Sequence, residues 1–113
     1  MTHRLKITGE AADRLFEIAQ WYARTFQSLE IATAWYDGFL DQLDTLKQNP
    51  LRGAFAPENA LFDFELGELH YGSGKRLTHR ALYRVVENTV EILTIRHDAE
   101  RPLGPSDLPT GSS

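Results

Sequence analysis

Apolar positions in the first half of the chain recur with two different periods. In "HRLKITG", residues 3–9, Leu5 and Ile7 alternate with Arg4 and Lys6, a step of two that predicts a short strand. From Glu10 to Phe26 the step lengthens to three and four. Ala12, Leu15, Phe16, Ala19, Tyr22, Ala23 and Phe26 then share one helical face, with Thr8 as the expected N-cap and Glu10 and Asp13 near the positive helix end. "SLEIATAWYDGFLDQLDTLKQNP" repeats the logic, with Ser28 as cap and Ile31, Trp35, Phe39, Leu43 and Leu46 as the buried stripe. Asn49-Pro50 ends this second helix, because proline lacks an N–H and disfavours helical geometry in the residue before it. The short link between the two helices predicts an antiparallel hairpin.

The second half returns to a step of two. "LFDFELGELHYGSG", residues 61–74, reads as a second strand with an irregularity at Gly67 and a turn through Gly72, Ser73 and Gly74. "KRLTHRALYRVV" reads as a third strand, "ENT" as a tight turn and "VEILTIRH" as a fourth strand. The expected fold is therefore α+β: an N-terminal strand, an antiparallel helical hairpin, then a three-stranded antiparallel meander, with the helices packed on one face of the sheet. Residues 1–103 form a single domain in this reading. Residues 104–113, rich in Pro, Gly and Ser, form a loose tail.

Alternation along the third strand has a chemical consequence. Leu77, Ala81, Tyr83 and Val85 face the helices, which leaves Arg76, Arg80, Leu82 and Arg84 on the uncovered face. Guanidinium groups present planar donor forks to phosphate or carboxylate and keep their charge near neutral pH. An alternative stays open on spacing alone: a solvated face with cross-strand ion pairs to Glu65, Glu68 or Glu91.

The chain has 113 residues, a net charge of -4 and ordinary globular composition, with 42% hydrophobic and 25% charged residues. The charge is unevenly spread. Residues 1–74 hold six Lys/Arg against eleven Asp/Glu, and residues 75–101 hold six against four, so a polyanion is met favourably only in the last third. Cysteine is absent, which excludes disulfides, thiolate nucleophiles and cysteine-based zinc sites. The start "MTHRLKITGEAA" has no apolar signal run, and no stretch approaches the roughly 18 consecutive apolar residues of a membrane helix, so a cytoplasmic location is expected.

His97 ends the fourth strand beside Arg96 and Asp98, where an imidazole can act as general acid or base. His70 and His79 are weaker candidates. His97 is therefore a candidate catalytic residue, and Arg76, Arg84, Arg96 and Arg101 are the candidates for holding a phosphate or a partner. No HxH or HExxH spacing points to a metal, and "YGSGK" lacks the frame of a phosphate loop, so neither metal nor cofactor is expected. Asp37, Asp41 and Asp44 read as the solvated face of the second helix. Trp21, Tyr22, Trp35 and Tyr36 read as hairpin core with some exposure at Trp21 and Tyr36.

The element order, together with "AWYDGFLDQLDTLKQNP", "ELGELHYG" and "HRALYRVVENTVEILTIRHDAERPL", resembles the RelE/ParE superfamily of bacterial toxin-antitoxin toxins of the plasmid stabilisation type, over residues 4–103. The resemblance implies a cognate antitoxin whose flexible segment wraps the toxin and masks its active face. In the RelE branch it implies cleavage of mRNA on the ribosome, without a metal. Arg80 matches that branch's strand arginine, which by the resemblance makes it the second candidate catalytic residue, and His97 falls near a strand-end position where some related nucleases carry histidine. Two departures stand out: Glu68 and His70 replace the branch's paired lysines, and no tyrosine follows Tyr83. The pattern looks more like the ParE side, whose members inhibit DNA gyrase. The implied function is thus a ParE-like gyrase inhibitor neutralised by an antitoxin. The alternatives are a RelE-like ribosome-dependent mRNA endoribonuclease or an inert protein-binding member.

Overall fold

The structure, a computed structural model, describes residues 2–72, 78–100, 103–104 and 107–108. Strand β1 (Arg4–Ile7) leads into helices α1 (Gly9–Phe26) and α2 (Leu29–Asp44), followed by β2 (Ala54–Phe55), β3 (Gly67–Tyr71), β4 (His79–Val86) and β5 (Thr89–His97). Short 3-10 helices lie at Thr45–Lys47 and Pro57–Leu61. The strands form one sheet in the order β1-β5-β4-β3-β2, with β1 parallel to β5 and the other pairings antiparallel. The expected α+β architecture is what the chain adopts. The two-residue strand β2, paired to the start of β3, is an addition that its brevity hid.

Capping sets the helix limits. The Thr8 hydroxyl accepts from the Ala11 N–H at 3.2 Å and donates to the Ile92 carbonyl at 2.9 Å, so the residue that starts α1 also pins it to β5. Gln27 takes the left-handed conformation (φ 48°) that stops α1, and the Ser28 hydroxyl caps α2 by accepting from the Ile31 N–H.

The helices cover one face of the sheet. Leu15, Trp35, Phe39, Leu43 and Leu46 pack there on Ala81, Tyr83, Val90, Ile92 and Ile95. The buried stripes are narrower than the periodicity suggests: Phe16 and Phe26 are 59% and 52% exposed, and Ala12 and Ile31 also face solvent. The sheet-facing line of α1 runs through Ala11, Leu15, Ile18 and Tyr22 in steps of three and four. Phe16 lies about 100° round the helix from Leu15, too far to reach the sheet.

The opposite face carries a second core, where Ala56, Leu66, Leu82, Leu93, Leu103 and Leu108 are buried. A bulge serves both cores. Leu82 pairs with Thr94 and Tyr83 with Ile92, so Leu93 is unopposed and the inward parity of β5 switches there. Ile92 and Ile95 can both face the helices while Leu93 faces the second core. The irregularity expected at Gly67 is not there, since β3 pairs with β4 in unbroken register, and the bulge lies in β5 at Leu93. Gly67 instead leaves room for an aromatic ring: a Cβ there would lie 2.7 Å from Tyr83 Cζ.

Two further expectations change. The second strand shrinks from residues 61–74 to Gly67–Tyr71, because the preceding segment turns through the 3-10 helix and Asn59 Oδ1 accepts from the Leu66 N–H at 2.7 Å. Leu108, expected in a loose tail, is buried against the second core. The expected turn at Ser73 and Gly74 and the strand start at Lys75 lie outside the described residues.

Candidate functional site

Arg80 stands in the middle of β4, paired in register with Arg96 on β5 and His70 on β3. Its side chain does face away from the helices. The expected open surface is not there, because the segment between β2 and β3 and residues Leu103 and Leu108 fold over this face. Glu58, from the 3-10 helix, reaches the guanidinium through both oxygens, at 2.8 and 2.5 Å, and Glu68 of β3 adds a third bond at 2.9 Å. Arg80 is only 9% exposed and Glu58 5%. A buried arginine with three of its donor bonds made to carboxylates is a closed ion-pair cluster.

Electrostatics follow from that geometry. The Arg80 hydrogen bonds hold the Glu58 carboxyl at about 2, against the burial that would raise it, and a bond from the Leu103 N–H at 3.0 Å helps. Arg80 is correspondingly pushed above its ordinary value, first by Glu58. On the rim, His70 Nε2 lies 2.9 Å from Glu68 Oε1 and its Nδ1 3.7 Å from Asp98 Oδ1. The shallow depression over Arg80 is therefore edged by Glu58, Glu68, Asp98 and Glu100, which would repel a phosphate.

The other candidates are dispersed. Arg84 Nε donates to Glu91 at 2.7 Å while its guanidinium lies 5.1 Å from the Phe64 ring centroid, and this bond is the main cause that draws Glu91 below the usual carboxylate range. Arg96 Nη2 is 3.5 Å from Glu100, which also bonds Arg14 and accepts from the His97 N–H at 2.9 Å. Burial opposes ionisation of Glu100, yet that backbone bond and the two arginines bring its pKa down. His97 is exposed, and its Nδ1 accepts from the Ala99 N–H at 2.9 Å, so the neutral ring carries its proton on Nε2. His79, opposite His97 in register, is buried with Nδ1 2.9 Å from the Thr78 hydroxyl; burial, then the charge of His97, lowers it to about 4. Arg76 and Arg101 lie outside the described residues.

The structure thus brings Arg80 and Arg96 into one acid-rich cluster and leaves Arg84 and His97 apart from each other. The residue that sequence reasoning missed is Glu58, which sits in the irregular segment before β3. Its only signal is indirect: an arginine followed by Ala81 and Leu82 on a buried strand requires a counter-charge from somewhere. Among the described residues, no three His, Asp or Glu side chains converge to hold a metal ion.

The family model described as the ParE toxin of type II toxin-antitoxin system, parDE, matches residues 5–102. A comparison with curated protein sequences gives no match. Among solved structures, the chromosomal ParDE toxin-antitoxin system from P. aeruginosa is similar at 25% identity with a TM-score of 0.67, over 85% of this chain and 96% of that one. The RelBE2 toxin-antitoxin complex from Mycobacterium tuberculosis is similar in fold, at 20% identity and TM-score 0.53 over 86% and 99% of the two chains. So is an arginine double mutant of the E. coli toxin RelE in the free state, at 12% identity and TM-score 0.52 over 84% and 82%.

Proposed function

Because the chain belongs to the ParE toxin family of type II toxin-antitoxin systems, we propose that it is the toxin of such a module, that it inhibits DNA gyrase by binding, and that a cognate antitoxin neutralises it. The observation that carries the choice of target is the closed Arg80 cluster. A ribonuclease of the RelE type needs cations that can reach a phosphate, whereas the guanidinium at the centre of this sheet is buried between Glu58 and Glu68. An inhibitor that acts by occupying a surface needs no such cation.

The helical layer supports a protein partner. Phe16 and Leu29 are exposed on its outer side, in a groove lined also by Ala19, Ala23, Ala32 and Tyr36. A groove of small residues edged by large apolar ones suits an amphipathic segment of an antitoxin.

The test is a supercoiling assay with purified chain and gyrase, run beside translation of a defined message on ribosomes. Loss of supercoiling with the message intact is expected, and restored supercoiling on adding the antitoxin encoded by the neighbouring reading frame. Message cleavage that survives a chelator, with supercoiling unaffected, would overturn the reading in favour of an endoribonuclease. Absence of any growth defect on expression would point to an inert binding protein.

A further inference from the structure

At the end of the β4–β5 ladder away from the Arg84–Glu91 pair, the last turns of α1 and the strand ends enclose an open hollow of about 560 Å³. Its walls include Trp21, Tyr22 and Phe26, and His79, Thr78 and His97 complete it from the sheet. The rings stand in two orientations. Tyr22 and Phe26 are parallel within 16° at 5.9 Å, and Trp21 crosses them at 81° and 89°, with centroids 5.2 and 6.3 Å away. Trp21 and Phe26 are half exposed, although each is large enough to be worth burying.

Three features give the hollow a sign. Aromatic ring faces carry negative quadrupole density, and walls at right angles surround a guest with more than one ring. The hollow lies at the C-terminal end of α1, where the helix dipole is negative. The imidazole of His79, the buried one of the two histidines in the wall, is held neutral by burial. Arg24, the cation of the last helical turn, is not among the residues lining the hollow. The hairpin as a whole is acidic: residues 9–44 contain seven Asp/Glu against two Arg.

We propose that this hollow is an anchoring pocket for an arginine or lysine side chain of the antitoxin, received by the faces of Trp21, Tyr22 and Phe26. The inference rests on the reading of a toxin held by a protein partner and adds the chemistry of one contact. The acidic hairpin selects a basic partner segment, and the aliphatic stem of a long cation covers the exposed ring surface while its charged head stays at the wet rim. A neutral apolar side chain would fill the same volume without using the ring quadrupoles.

The test follows the two indole N–H resonances in solution, with buried Trp35 as the internal control. N-acetyl-arginine amide is titrated into the purified chain in parallel with N-acetyl-norleucine amide. The expected result is a saturable shift of the Trp21 indole that leaves Trp35 still, with the arginine probe binding at least about threefold tighter than the neutral one. In the variants, which lack that indole, binding is followed on the Phe26 ring resonances: Trp21→Ala should abolish the arginine-dependent shift there and Trp21→Phe should keep part of it. Norleucine binding as well as arginine, or a Trp21 indole that moves with neither, would overturn the cationic pocket. In the full complex, Trp21→Ala should weaken antitoxin binding about threefold to tenfold, and an unchanged affinity would overturn the assigned occupant. A chain that takes the arginine probe but binds no antitoxin would sink the partner reading and the occupant together, with the pocket's chemistry left standing.

Discussion

Arg80 meets Glu58 through two parallel bonds, of 2.8 and 2.5 Å, that join the central strand of the sheet to a 3-10 helix outside it. The same carboxylate accepts from the Leu103 N–H, so one acid ties together β4, the segment before β3 and the chain beyond β5. A guanidinium that spacing left open between a ligand and cross-strand ion pairs is in this fold a fastening of the second core.

Removing one side of a buried pair strands the other. Glu58→Ala and Arg80→Ala are each expected to cost ~3–5 kcal/mol in urea unfolding, and the double substitution less than the two losses added. Acid should act on the same bond. The Glu58 carboxyl sits at about 2 in the fold, below its ordinary 4.5, so its contribution is complete above 4.5 and is lost as pH falls towards 2. The shift corresponds to ~3 kcal/mol. A Glu58→Ala loss under about 1 kcal/mol would contradict this account.

His79 should act in a higher window. Its folded value of about 4 lies below the ordinary 6.5, so the unfolded chain takes up the proton first and stability falls as pH drops from 6.5 to 4. The fall should approach ~3 kcal/mol by pH 4. His79→Phe keeps a ring against Tyr22 and Trp35 and should flatten the profile between pH 6.5 and 4, leaving the lower fall due to Glu58. Unfolding midpoints taken across both windows would separate the two groups, and an unchanged upper slope in His79→Phe would refute the assignment.

The ring of Tyr83 lies between two glycines. A Cβ on Gly67 would come within 2.7 Å of Cζ, and one on Gly53 within 2.6 Å of the hydroxyl oxygen, which bonds the Pro50 carbonyl. Gly67→Ala is expected to cost ~1–3 kcal/mol, since the ring cannot shift without losing that bond. In a Tyr83→Leu background the same substitution should cost much less. Equal losses in both backgrounds would place the strain elsewhere.

Gln27 ends α1 at φ 48°, where a side chain is disfavoured and glycine is at ease. Gln27→Gly should raise stability by about 0.5–1 kcal/mol, read as a higher urea midpoint with an unchanged slope. A lower midpoint would mean that the glutamine side chain has a compensating role.

Local order was legible in the residue pattern, because helix and strand periods, caps and proline stops act over a few neighbouring positions. Thr8 and Ser28 cap the helices as their chemistry demands, the alternation on β4 correctly turned Ala81 and Tyr83 towards the hairpin, and the family resemblance followed from the order of these elements. Tertiary structure alone decided what the arginines meet. Periodicity tells which face a side chain takes and says nothing about what folds over that face. Glu58 comes from an aperiodic segment 22 positions away, and Leu108 closes over the same face from a stretch with no period at all. The bulge at Leu93 was equally hidden, since an unbroken apolar run gives no mark of where its inward parity changes. Charge pairing and parity changes depend on long-range register, which emerges only when the whole sheet is assembled.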